Sequence, residues 1–338
     1  VIWGLWEFRQ HRLELDVAEQ LAAEMRQLGE AEGNRSLTFL SCHMSGFNHS
    51  YLGDYSRSRD YFEEGLRNPS CVMGGFHPRV GSLMSLARML LYLGHLDQAR
   101  ARYEQGLDEA RKSNPFTLAT ALVLAIMWQR PYGGDITALA EELLKLSEEQ
   151  GFRPLCVFAS FSRGWMLTMK GKPEEGIAEI TNNLQTTQRS LITFLGPLFL
   201  AEAYGRAGQP ETGLKRLAEV EHAPQLRVFV GGWAEVGLVR ARLLMLSGDL
   251  VAAEECLLKA VEVAKEQNAK FLQLLVTIEL AQLRAERRSR IDAARLLWPV
   301  RGWFTEGLQS PVLQSATALL DKLGGLLDEP RFDLSAGG

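Results

Sequence analysis

The sequence predicts an all-α fold, a right-handed α-solenoid of stacked helical hairpins, and three observations carry that prediction. A turn recurs eight times, keyed on Arg12, Gly53, Gly94, Asp135, Gly171, Gly208, Gly248 and Ser289, with steps of 41, 41, 41, 36, 37, 40 and 41 residues. Five residues after most keys stands a small residue: Val17, Ser58, Ala99, Ala140, Gly176, Gly213, Ala253, Ala294. Nine after stands a large one: Leu21, Phe62, Tyr103, Leu144, Ile180, Leu217, Leu257, Trp298. A fixed period of this length means stacked supersecondary units, each touching only its neighbours. No alternating apolar run bounded by hairpin turns occurs, so little or no strand is expected.

The unit keyed on Gly94 shows why each repeat is a helical hairpin. Leu83, Leu86, Leu90 and Leu93 follow spacings of three and four, one face of a helix. Gly94 ends that helix, because glycine enters the left-handed region without a steric penalty. Ala99, Tyr103, Gly106, Leu107 and Ala110 then form a second apolar stripe. Small Ala99 allows close approach, and Tyr103 fills the gap to the next unit. The units keyed on Gly53, Gly171, Gly208 and Gly248 repeat this pattern. Pro173 and Pro210 stand at first helical positions, where the missing N–H costs nothing. The copies keyed on Arg12, Asp135 and Ser289 are weaker. Ahead of Asp135, WQRPYGGD places Pro131 and two glycines at the end of a helix, which is expected to kink or stop early. Pro197 is expected early in a helix that begins late. Asn68 to Pro78 is the longest irregular stretch.

No Pro/Gly/Ser-rich linker interrupts the array, so residues 1–325 are expected to form one solenoid of about eight units. Its capping helix is 310–323, with Ser310 as N-cap and Pro311 at the first position. Residues 326–338 are expected as a flexible tail. The chain starts at Val1 inside helix-like sequence and is read as a piece of a longer polypeptide.

Hydrophobic residues make up 46% of the 338, enough for a core. A net charge of −4 argues against direct nucleic-acid binding, which a basic surface supports. Leu118 to Trp128, the longest apolar stretch, is too short to span a bilayer, so no membrane partner is expected. The four cysteines, Cys42, Cys71, Cys156 and Cys256, are scattered and read as reduced thiols of a cytoplasmic protein. No phosphate-binding glycine loop, HExxH or paired CxxC occurs, so neither catalytic residues nor a cofactor or metal is expected. Cys42, His43 and His49 are a conceivable metal cluster; a helix interior with a turn-proximal histidine explains them as well and is preferred. The seven tryptophans are read as inter-helix packing, and RAERRSR (Arg284 to Arg290) as a solvated turn.

The concave groove is the candidate site. In helix-pair solenoids the first helices line it, and the residue six before each key points inward: Phe47, Arg88, Gln129, Trp165, Glu202 and Arg242, with Leu283 in the last unit. Ten before stand His43, Met84, Ala125, Phe161, Leu198, Leu238 and Glu279. Aromatic and Arg residues are the types enriched at protein interfaces.

The turn and second-helix pattern resembles the tetratricopeptide repeat, a shorter unit with A-x3-F in its second helix. Longer stretches resemble a particular setting for it. ARYEQGLDEARKSNPFTLATAL, SRGWMLTMKGKPEEGIAEI, LAEAYGRAGQPETGLKRLAEV and PVRGWFTEGLQSPVLQSATALLDKL are similar to the C-terminal repeat region of bacterial class III adenylate/guanylate cyclase–STAND NTPase signalling proteins and related ATPase-repeat transcriptional regulators. The resemblance implies a non-catalytic regulatory module that binds a peptide, a protein, or the NTPase or cyclase domain of its own polypeptide. The cyclase aspartates and Walker motifs have no counterpart here, so no catalytic residue carries over. The alternative is a sensor that binds a small-molecule inducer in the groove. An open channel favours a peptide; an enclosed apolar pocket with a few polar groups favours a small ligand.

Overall fold

The computed structural model describes residues 1–184, 191–221 and 230–324. Among the described residues every regular element is a helix; the isolated bridge between Met73 and Phe76 lies in a connection. Helices pair along the chain as α1 (Ile2–His11) with α2 (Leu15–Glu32), α3 (Arg35–Leu52) with α4 (Tyr55–Leu66), α5 (Pro78–Leu93) with α6 (Leu96–Arg111) and α7 (Pro115–Tyr132) with α8 (Thr137–Gln150). Then come α9 (Arg153–Met169) with α10 (Pro173–Leu184), α11 (Leu191–Arg206) with α12 (Pro210–Glu221), α13 (Trp233–Leu246) with α14 (Leu250–Glu266) and α15 (Lys270–Arg287) with α16 (Arg290–Gly302). The last helix, α17 (Pro311–Gly324), packs on α16 and α15, and Ser310 Oγ accepts from Leu313 N at 3.4 Å as its cap. The hairpins stack into an all-α, right-handed α-solenoid of tetratricopeptide-like units. Residues 326–338, expected as a tail, lie outside the described residues.

The five strong turns behave as their sequence dictates. Gly53, Gly94, Gly171, Gly208 and Gly248 all take positive φ. The small positions bring helices into backbone contact. A Cβ on Gly46 would stand 2.6 Å from the Phe62 ring, and one on Gly164 2.9 Å from the carbonyl oxygen of Gly176. Ala99, Phe62, Ile180, Leu217, Ala253 and Leu257 are fully buried.

The first and last of the three weak copies are displaced by one residue. Val17 and Trp298 are exposed, whereas Ala18, Ala22 and Leu297 are buried. The first turn is keyed on Leu13, which takes φ 59 in place of a glycine. The last is keyed on Arg288, which puts Ala293 and Leu297, both fully buried, at the small and large positions. In the fourth, Ala140 is fully buried at the small position as keyed on Asp135, the left-handed glycine is Gly133, and at the large position buried Leu143 replaces half-buried Leu144. Leu13 and Arg288 stand where the other turns have the glycine that fixes their registers.

Two proline expectations are corrected. α7 runs through Pro131 and ends on left-handed Gly133, so the helix does not stop early. Pro131 stands in the last turn, where one lost N–H bond and one packed carbonyl are tolerable. α11 likewise starts before Pro197, which sits inside it.

The array curls until its ends meet. α5 packs against α15, and α3 against the short 3₁₀ turn Val230–Gly232. The connection after α16 reaches the turn between α5 and α6: Gly307 N donates to Asp97 at 3.1 Å and Gln98 to Glu306 at 3.4 Å. A Cβ on Gly94 would stand 2.4 Å from the Trp303 ring. One apolar cluster consequently runs from Leu13 to Leu323.

Candidate functional site

Curling turns the concave face into an interior. Three of the residues predicted to line the groove meet there. Trp165 Nε1 on α9 donates to Glu202 on α11 at 2.6 Å. Arg242 on α13 stands 3.9 Å from Glu202 and 2.6 Å from Glu279 on α15. Successive first helices thus hand charge along the inner wall.

Arg130 on α7 is the centre of this arrangement. Its guanidinium lies 2.7 Å from Glu235 on α13 and 3.7 Å from Glu202, and above the rings of Phe199 and Trp165 at 5.1 and 5.9 Å. Tyr92 on α5 donates to Glu235 at 3.0 Å. Burial works against the Arg130 charge, but Glu235, Glu202 and the neighbouring Tyr92 outweigh it and raise its pKa. Tyr92 is itself raised, by burial first and by Glu235 second, so the phenol keeps its proton. The group satisfies the condition for a tolerable buried charge, opposite partners with hydrogen bonds on both sides.

The other predicted residues are placed differently. Phe47 is half-buried between the rings of His43 and Phe62, at 4.8 and 5.4 Å, in the packing of α3 on α4. Gln129 is half-buried and donates to the Tyr103 hydroxyl at 3.3 Å, between α7 and α6. Arg88 is buried on α5, with Nη1 3.7 Å from the Met127 sulfur. Of the residues ten before each key, Glu279 reaches the inner network; His43, Met84, Ala125, Phe161, Leu198 and Leu238 are buried among helices.

Sequence reasoning missed Arg130, Glu235 and Tyr92. Arg130 stands five residues before the key Asp135, one position off the six-before set, and its neighbour Pro131 drew attention to helix termination instead. Glu235 is thirteen before Gly248, one turn beyond the positions considered. No periodic signal marks it, because its partner is on the far side of the superhelical turn.

A cavity of about 20 Å³ remains beside this network, lined by Tyr92, Ile126, Met127, Arg130, Phe158, Leu195, Phe199 and Glu235. That is room for about one water. It is mostly apolar, with two opposite charges in its wall.

The remaining candidate clusters resolve into packing. His43 is buried with Nδ1 2.9 Å from Ser82 Oγ, and burial pushes its pKa down to about 3 against a raising contribution from the backbone at Pro78. Cys42 accepts from Arg26 at 3.3 Å, and burial pushes its thiol up to about 11. His49 stacks on Tyr61. The three have separate surroundings, and among the described residues no group of His, Cys, Asp and Glu could hold a metal ion. Arg284, Arg287 and Arg288 of the basic stretch converge on buried Glu254 at 2.9, 3.6 and 3.0 Å. No described helix is long and apolar enough to cross a membrane.

Fold and interior define a closed helical-repeat superhelix with a charged inner network. No family model matches the chain, and no curated protein does. Similar solved structures include a Rap protein complexed with competence and sporulation factor, at 12% identity over 88% of this chain and 98% of that one, with a TM-score of 0.49. A tetratricopeptide repeat protein from Parabacteroides merdae shares 14% identity over 85% of this chain and 98% of that one, TM-score 0.42. The tetratricopeptide domain of P58(IPK) shares 12% over 96% and 87%, TM-score 0.25.

Proposed function

We propose that the chain is a non-catalytic protein-interaction and regulatory module, that residues 1–325 act as one unit, and that its inner face is the binding face. The carrying observation is Arg130 held between Glu202 and Glu235, carboxylates from two other units. A partner that offers its own charges to Trp165, Glu202 and Arg242 competes with contacts that close the superhelix. Binding and curvature are thereby coupled, and by linkage each affects the other equally. The resemblance to cyclase–STAND NTPase proteins makes the partner a peptide, a protein, or the NTPase or cyclase domain of the same polypeptide in a cytoplasmic signalling protein.

The test is to change Trp165 and Arg242 to Ala and measure affinity for that NTPase domain. A hot-spot anchor is worth about 2 kcal/mol or more, roughly thirtyfold in affinity. Unchanged affinity with intact folding moves the site to the convex face or to the Asn68–Pro78 loop.

A second reading, an inducer-sensing domain, is favoured by the interior cavity beside the charged network. Its apolar walls and two charged groups are the composition of a small-ligand site. Its small volume requires the superhelix to loosen before a ligand enters.

A further inference from the structure

Arg88 and Arg130 are both buried guanidiniums on first helices facing the interior, yet their surroundings differ. Arg130 has two carboxylates. Arg88, 7% exposed, has none within ion-pair reach among the described residues. Its Nε is buried with no hydrogen-bond partner, and Nη1 meets only the Met127 sulfur, a weak acceptor. Nearby Tyr51, Tyr55 and Tyr92 feel its charge, but burial keeps all three phenols protonated. An arginine stays charged at any physiological pH. A buried charge without a partner is strongly destabilising, so this position calls for an anion that the described residues do not supply.

The free edge of Arg88 is formed by Nε and its neighbouring nitrogen, the pair that grips a carboxylate in a two-pronged fork. Met127, whose sulfur meets Nη1 of Arg88, also lines the neighbouring cavity walled by Ile126, Phe158 and Phe199. A thioether is flexible enough to swing aside. We propose that Arg88 and this cavity form a subsite for a carboxylate bearing a compact apolar group, with the carboxylate on Arg88 and the apolar group against Phe158 and Phe199. The proposal rests on the inner face being the binding face. The same chemistry is offered by a free aryl or alkyl acid and by the C-terminal residue of a peptide.

The experiment is calorimetric titration and thermal unfolding of the whole chain with phenylacetate, with neutral phenylacetamide, and with an acetylated tripeptide ending in Phe as acid and as amide. The acids are expected to bind and raise Tm, and the amides to bind at least tenfold more weakly. Tighter binding of the peptide acid identifies a peptide C-terminus; tighter binding of phenylacetate identifies a free acid. Arg88→Met is expected to raise Tm without ligand and to abolish the response to acids, while Arg88→Lys keeps part of it. Equal responses to acid and amide by the unaltered protein overturn the proposal, whatever the variants do. So does an Arg88→Met protein of lowered Tm with an unchanged acid response. A null carboxylate response together with lost NTPase binding in the Trp165 and Arg242 variants removes this subsite and leaves the binding face. An acid response with unaffected NTPase binding does the reverse.

Discussion

Arg130 on α7 and Glu235 on α13 are 105 residues apart in sequence and 2.7 Å apart in space. Their contact, with that of Tyr92 to the same carboxylate, ties the first half of the superhelix to the second. Removing one partner of a buried pair leaves an uncompensated charge and typically costs about 3–5 kcal/mol. Glu202, at 3.7 Å, retains part of the balance. Glu235→Ala is therefore expected to lose about 3 kcal/mol in urea unfolding, and the double change Arg130→Met with Glu235→Ala less than the sum of the singles. Additive costs in that cycle would mean the two residues do not interact.

The one-residue correction of the last turn separates two adjacent side chains. Leu297 is fully buried and Trp298 is 59% exposed. Leu297→Ala should cost about 2–5 kcal/mol, and Trp298→Ala about 0.5 kcal/mol or less. The reverse order in denaturant melts would restore the key at Ser289.

Close packing sets the small positions. Ala99 and Ala253 are fully buried, and Ala99→Trp or Ala253→Trp should destabilise by roughly 1–3 kcal/mol or more. Gly164→Ala should cost a similar amount, because the added methyl meets the Gly176 carbonyl oxygen, a backbone atom that cannot swing away. Melting curves that match the parent protein for all three variants would contradict the packing.

His43 predicts a pH dependence. Burial holds its folded pKa near 3, below the ordinary 6.5, so between those values the unfolded state binds more protons. Stability from this residue is complete above pH 6.5 and falls as the pH drops toward 3, with a slope of up to about 1.4 kcal/mol per pH unit. Between pH 6.5 and 5, above most carboxylate titrations, the unaltered protein should lose stability faster than His43→Gln. Parallel curves for the two would show that His43 is protonated in the folded state.

The purified chain should neither cyclise nor hydrolyse ATP or GTP, since it lacks a phosphate-cradling loop and a metal-carboxylate motif. Turnover that disappears on changing a residue of this chain would refute this.

The hairpin architecture was legible because it is local. A glycine that must take positive φ, a small residue that must admit a neighbouring backbone and a large one that must fill a gap all act within one repeat, so Gly94, Ala99 and Tyr103 announce themselves by spacing. Where Leu13 and Arg288 replace the glycine, the register slipped by one residue. Trp165, Glu202 and Arg242 were picked out by helix phase within their own units, and the structure brings those three together, but Phe47 and Gln129 of the same phase pack between helices. The partnership of Trp165 and Glu202 with Arg130 was not legible. Small rotations between successive units accumulate along a solenoid, and only their sum brings α7 opposite α13 and Trp303 onto Gly94. The sequence by itself determined the repeat and its helices. Tertiary structure decided that the inner face closes, which charges meet across it, and that Arg88 is left without one among the described residues.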